Sequence, residues 1–193
     1  MQILRASQHR VMPWKNGGGS TTEIAVAPEG AGLDDFDWRI SMAAVAADGP
    51  FSAFPGVDRT LAVLDGAGLV LHGLVGGPVR LERATGPFGF PADADVAATL
   101  PDGPITDLNV MTRRGRFGGR VRRIVEAGPI TVAADAAATL LLAERPCRLA
   151  VDGLPPVELG RRDAVRLDGP IGRLALTADG GVEAYLVELT AVA

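Results

Sequence analysis

Leu61-Ala62-Val63-Leu64-Asp65-Gly66, followed by Gly73 and then by Val79-Arg80-Leu81-Glu82, has a counterpart further along the chain. It is Leu149-Ala150-Val151-Asp152-Gly153, followed by Gly160 and then by Val165-Arg166-Leu167-Asp168. Each copy passes from an apolar run through an Asp-Gly turn to a short strand closed by a carboxylate. The interval from Asp to the second Gly is the same in both, and the closing strand differs by one residue of spacing. Two such copies in one chain predict duplicated β units packed against each other.

The surrounding sequence supports strands. Twenty-five Gly and 14 Pro punctuate the 193 residues and leave little room for long helices. The runs between them predict strands at Glu23–Ala27, Trp38–Ala46, Thr60–Leu64, Leu69–Leu74, Pro78–Glu82 and Leu108–Arg113. Six more follow at Gly119–Val125, Thr139–Glu144, Cys147–Asp152, Val157–Leu159, Ala164–Leu167 and Val182–Leu189. Ala133–Ala138 is expected to form one helical turn. Short strands with turn signals between them predict a mostly β sandwich or barrel.

Composition narrows the function classes. A hydrophobic fraction of 47% and a mean hydropathy of +0.21 describe a chain able to bury a core. A net charge of −4 argues against a general nucleic-acid surface. No stretch approaches the ~18 apolar residues of a membrane helix, and Met1-Gln2-Ile3-Leu4-Arg5 lacks the apolar core of a signal peptide. The single Cys147 allows no internal disulfide. A cytoplasmic protein is expected.

Polar residues gather at a Gly-rich corner and in three further places. Met12-Pro13-Trp14-Lys15-Asn16-Gly17-Gly18-Gly19-Ser20-Thr21-Thr22-Glu23-Ile24 holds the only Lys and three consecutive Gly. Gly runs suit a sharp bend or a close approach of main chain, and the polar–apolar alternation that follows predicts a strand. No Gly-Lys-Ser/Thr follows the glycines, so this is not a phosphate loop. In Trp38–Met42 the period of two puts Arg39 and Ser41 on one face, opposite Trp38, Ile40 and Met42. A long loop, Asp48–Thr60, ends in Asp58-Arg59 where a strand begins, and a guanidinium there suits bidentate binding of a carboxylate. A structural ion pair of Arg59 with Asp58 or Asp48 is the alternative. Asp107, Asn109, Met111 and Arg113 share the third face, and the arginines of the Gly115–Gly119 stretch are expected on an exposed loop.

The segments PWKNGGG-x-T-x-E-I over Met12–Ile24, DWRISM over Asp37–Met42, DGPFS-x-FPG-x-DRTL over Asp48–Leu61 and DLNVMTR over Asp107–Arg113 resemble the HutD/Ves family. That family includes proteins encoded with bacterial histidine-utilisation enzymes. The resemblance covers most of the chain and is strongest before Arg114. It implies a bicupin, two RmlC-like jelly-roll β-barrels in one chain. The implied arrangement is a single domain over 1–193, with an amino-terminal cupin unit at 1–125, a carboxy-terminal one at 126–193, and strand exchange between them allowed. It also implies a regulatory or ligand-sensing role in histidine breakdown.

Many cupins hold a metal through several His and a Glu, but His9 and His72 are the only imidazoles here and form no His-x-His pair. No metal and no cofactor are expected, and no catalytic residue is assigned. The favoured reading is a metal-free binding protein for a small carboxylate of the urocanate or formylglutamate class. Arg59 is its anion anchor, with Trp14, Lys15, Asn16, Arg39, Asp58 and Asn109 around it. A homodimer is compatible with this reading; nucleic acid and membrane are not expected partners. One alternative is a metal-free isomerase or hydrolase using Asp58 or Asp107 as general base. Another is an interaction module whose Gly-rich corner docks on a second protein.

Overall fold

The computed structural model describes residues 1–15 and 17–192. Its strands, in chain order, begin with β1 (Gln2–Leu4), β2 (Arg10–Pro13), β3 (Gly19–Ala27), β4 (Trp38–Val45) and β5 (Gly49–Pro50). They continue with β6 (Val57–Asp65), β7 (Leu69–His72), β8 (Val79–Leu81), β9 (Phe88–Pro91), β10 (Ala97–Thr99) and β11 (Ile105–Arg113). The last eight are β12 (Phe117–Glu126), β13 (Ile130–Ala134), β14 (Ala138–Ala143), β15 (Cys147–Val151), β16 (Val157–Leu159), β17 (Ala164–Asp168), β18 (Gly172–Thr177) and β19 (Val182–Ala191). The protein is mostly β, as the sequence predicts.

The chain divides into two compact units. The amino unit is Arg10–Gly118 with Val192; the carboxy unit is Gly119–Ala191 joined by Met1–His9. The division therefore falls inside β12, and β1 pairs with β17 in the carboxy unit. The amino unit has a six-stranded sheet ordered β2-β3-β4-β11-β6-β9 and a four-stranded sheet ordered β5-β10-β7-β8. The carboxy unit has a five-stranded sheet ordered β1-β17-β14-β19-β12 and a four-stranded sheet ordered β13-β18-β15-β16. Strand for strand, β4-β11-β6-β9 has the order of β12-β19-β14-β17, and β5-β10-β7-β8 that of β13-β18-β15-β16.

That correspondence corrects the repeat as read from the sequence. Asp65-Gly66 turns β6 into β7, but Asp152-Gly153 turns β15 into β16, and the counterpart of β15 is β7. The matched motifs are one strand out of register, because Asp-Gly serves any tight β turn. The helical turn expected at Ala133–Ala138 is absent. Ala133 and Ala134 end β13, and Ala138 begins β14. The strands missed in the sequence are mostly two to five residues long, too short for a period of two to register.

The two units differ in what fills them. Ile124, Leu141, Leu149, Leu159, Val165, Leu174 and Leu186 belong to a continuous apolar core in the carboxy unit. Cys147 lies in the same core, where burial pushes its thiol up to about 11 and keeps it unreactive. In the amino unit, Leu61, Val63, Leu69, Leu71, Leu81 and Phe90 pack between the two sheets, but the six-stranded sheet also turns charged residues inward.

Gly73, which ends β7, has φ +87°, and a Cβ there would sit 2.0 Å from the main-chain oxygen of Asp95. Gly76 also has positive φ, +102°, but faces open space. Gly73→Ala is expected to destabilise by more than about 2 kcal/mol, since strain and overlap add, and Gly76→Ala by about half as much or less. Denaturant unfolding of both variants measures this; equal losses would contradict the account.

Candidate functional site

The interior face of the amino unit follows from strand register. Paired residues on neighbouring strands point to the same side of a sheet. Glu23 pairs with Ser41, Ser41 with Asn109 and Asn109 with Leu61. One row along, Arg39 pairs with Met111, Met111 with Arg59 and Arg59 with Phe90. One row the other way, Thr21 pairs with Ala43, Ala43 with Asp107 and Asp107 with Val63. Leu61, Val63 and Phe90 are core residues between the sheets, so Glu23, Arg39, Ser41, Arg59, Asp107 and Asn109 face the same interior. The alternation also holds on the other face, where Trp38, Ile40 and Met42 are buried.

Arg59 is 5% exposed. Its guanidinium carbon lies 4.9 Å from the ring centre of Phe51, 5.6 Å from that of Phe54 and 5.9 Å from that of Phe90. Loop anchoring sets up this aromatic enclosure: the Phe51 amide donates to Val96 O, and the Phe54 amide to Ala92 O. The ring faces offer negative electrostatic potential but no lone pairs. Nη2 donates to Ser52 O at 3.2 Å, while Nε is buried without a hydrogen-bond partner among the described residues. Burial lowers the guanidinium to about 10, opposed by Asp107, so it stays charged at neutral pH.

Arg39 is committed elsewhere: its Nε donates to Glu23 Oε2 at 2.7 Å. Asp107 is fully buried; Oδ1 accepts from Asn109 Nδ2, and Oδ2 is without a partner among the described residues. Burial raises its carboxyl to about 7, with Arg59 and then the Asn109 hydrogen bond pulling the other way. With Arg39 and Glu23 cancelling, the interior carries Arg59's positive charge whenever Asp107 is protonated. A net positive charge there is electrostatically complementary to an anion.

The other sequence candidates lie apart from this set. Asp58 projects from the opposite face of β6 and pairs with Arg114 at 3.2 Å, so it is neither beside Arg59 nor its structural partner. Asp48 accepts instead from the Leu100 amide. Lys15 is exposed, and Asn16 lies outside the described residues. Trp14 is half-buried, and its indole N–H donates to Thr21 Oγ1 at 2.8 Å. Its ring closes over Gly19, where a Cβ would meet Ala44 O at 2.2 Å and the indole at 3.0 Å, so the corner needs glycine for close approach. Arg113 donates to Phe36 O and Asp34 O and braces a loop. Arg116 is surface-exposed and paired with Asp37. Sequence reasoning left out Glu23, Ser52 and the phenylalanine cage; the aromatics of the Asp48–Thr60 loop were the available signal.

Neither imidazole belongs to the interior set. His72 Nε2 lies 3.0 Å from Thr99 Oγ1, and His9 belongs to the carboxy unit, its ring lowered in basicity by burial. Among the described residues no three His, Cys, Asp or Glu side chains gather as a metal site. Among the described residues no helix is long and apolar enough to cross a membrane.

Comparison with known proteins follows this geometry. An uncharacterized 21.2 kDa protein in the hutC 3' region of Pseudomonas putida is 36% identical over 182 residues, 93% of each chain. The conserved protein of unknown function PA5104 from Pseudomonas aeruginosa PAO1 superimposes with a TM-score of 0.90 at 36% identity, over 98% of both chains. HutD from Pseudomonas fluorescens SBW25 does so with a TM-score of 0.82 at 33% identity, over 100% of this chain and 99% of that one. Solved structures at 6% and 8% identity share the cupin-type β fold alone. The HutD family model matches residues 6–186, which covers the polar interior and both units, and the chain belongs to the HutD family.

Proposed function

We propose that the protein is a metal-free bicupin that binds a small carboxylate in its amino unit and serves a regulatory role in histidine utilisation in the cytoplasm. The matching strand orders of the two units support reading each as one jelly-roll cupin. The observation that carries the binding reading is Arg59: a buried guanidinium with Nε unmatched, enclosed by three phenylalanines. Leaving such a group unpaired in an apolar interior is costly, and a carboxylate supplies the planar acceptor pair that aromatic faces lack. The Pseudomonas fluorescens HutD structure is designated a formate condition, and formate is the smallest member of this ligand class. Histidine-pathway intermediates such as urocanate and formylglutamate carry the same group. Asn109 and Ser41 offer neutral polar contacts on the same face, and Trp14 and Lys15 belong to a corner on the neighbouring β3.

Asp107 supports a second reading. A buried carboxyl raised to about 7 is poised for general acid or base work, so an isomerase or hydrolase acting on the same ligand is the alternative. Turnover of urocanate or formylglutamate by the purified protein would establish it.

Calorimetry with both compounds tests the binding reading. Arg59→Ala is expected to lose well over tenfold in affinity, on the order of 2–5 kcal/mol for a desolvated charge contact, with the fold retained. Arg59→Lys recovers part of the loss, because an ammonium lacks the planar fork. Arg116→Ala changes little, as its 2.6 Å pair with Asp37 is exposed. Equal losses at Arg59 and Arg116 would mean general electrostatics, and an unaffected Arg59→Ala would mean the site lies elsewhere.

A further inference from the structure

We propose that Asp107 is a direct ligand contact that binds the carboxylate in its neutral form, so that binding brings a proton into the protein wherever the unliganded carboxyl is ionised. The proposal rests on the carboxylate reading of Arg59 and adds a second contact residue and a change in protonation.

Two polar atoms in the amino unit's interior are unmatched. Arg59 Nε and Asp107 Oδ2 are both buried without hydrogen-bond partners among the described residues. They are of opposite charge type, yet no ion pair joins the two residues among those described, although each acts on the other's ionisation. Asp107's second oxygen is fixed by Asn109 Nδ2, which leaves Oδ2 as the side chain's one free site. Its neighbours across the sheet are Ala43 and Val63; neither donates from a side chain, though the main-chain N–H of Ala43 also favours the charged carboxyl. Ala43 adds little bulk to the interior face between Asp107 and Thr21.

An anion seated at Arg59 changes what Asp107 can be. Two ionised carboxylates cannot share a buried space, but a carboxyl and a carboxylate can share one proton. The charged groups able to oppose this are few. From β6 comes Arg59 itself, which the ligand would engage. From β4 comes Arg39, and from β3 Glu23, already paired with each other. β9 presents Phe88 and Phe90, and the facing sheet presents Leu69, Leu71, Leu81 and Ala98. Among the described residues no further cation faces Asp107 to hold it ionised beside a bound anion.

Protonated, Oδ2 becomes a hydroxyl donor aimed at the ligand, the counterpart to Arg59 Nε. The balance is simple: ligand anion, one solvent proton and protein form the complex, with an O–H bond made on Asp107 and no bond broken in the ligand. The unliganded carboxyl titrates near 7. The incoming anion offsets Arg59's pull and moves that value up. Between the two values binding consumes a proton, so affinity is greatest below about 7. It falls as pH rises through 7, by up to about tenfold per pH unit for a single proton.

The test uses the full chain with formate, which stays ionised across the range, titrated at pH 6 and pH 8.5. Each titration is run in two buffers of different ionisation enthalpy. Wild type should bind at least about tenfold more weakly at pH 8.5 and show buffer-dependent heat equivalent to uptake of up to one proton. Asp107→Asn keeps a donor but cannot titrate; it should bind within a few fold of wild type at pH 6, with a flat pH profile and no proton uptake. Asp107→Leu should lose about tenfold at pH 6, and if it fails to fold, Asp107→Asn carries the test. A flat wild-type profile without buffer-dependent heat, or an unchanged slope in Asp107→Asn, overturns the proposal. Arg59→Ala separates the two claims. If it binds formate as tightly as wild type, the carboxylate reading fails. If it loses affinity while wild type takes up no proton, only the role of Asp107 fails.

Discussion

A guanidinium buried inside the amino unit against three phenylalanine rings is the constraint on which that unit depends. Burial of Arg59 is unfavourable unless its charge and its N–H groups are answered. Three aromatic faces answer part of the charge, one main-chain carbonyl answers one donor, and Nε is left over. The loop bearing Phe51, Ser52 and Phe54 is tied by main-chain bonds to Val96 and Ala92, which fixes three of these groups at once. The carboxy unit shows the same order over eight strands; its main core cluster is aliphatic apart from Cys147, and its buried Glu144 is paired with Arg161 and Arg162.

The charges around Arg59 are arranged to leave it available. Arg39 and Glu23 neutralise each other across neighbouring strands, and Asp58 is drawn to Arg114 on the opposite face. Only Asp107 opposes Arg59 within the interior, and its burial weakens that opposition by favouring the neutral carboxyl. A fully formed Arg59–Asp107 ion pair would have filled the interior's electrostatic demand and left no reason for an anion to enter.

Alternation put Arg39 and Ser41 opposite Trp38, Ile40 and Met42, and put Asp107, Asn109 and Met111 together, because a period of two is local and needs no knowledge of partners. It could not say that β4, β11 and β6 lie side by side, and that adjacency brings Arg39, Asn109 and Arg59 to one face. Asp58 is next to Arg59 in sequence, and on a strand that adjacency puts the two side chains on opposite faces. The Asp-Gly repeat pointed to duplication while matching the wrong turns, since a turn motif reports local φ and ψ and not which strands it joins. Phe90 joined the cage through pairing of β9 with β6, which no local pattern announces.

The central claim, that the amino unit's interior is an anion site centred on Arg59, is tested most directly by a high-resolution crystal structure of the full chain grown with formate. The account predicts planar three-atom density inside the amino unit, with an oxygen about 2.7–3.0 Å from Arg59 Nε and within reach of Asp107. A dry interior in those crystals, with formate found only at surface arginines such as Arg145, would contradict it.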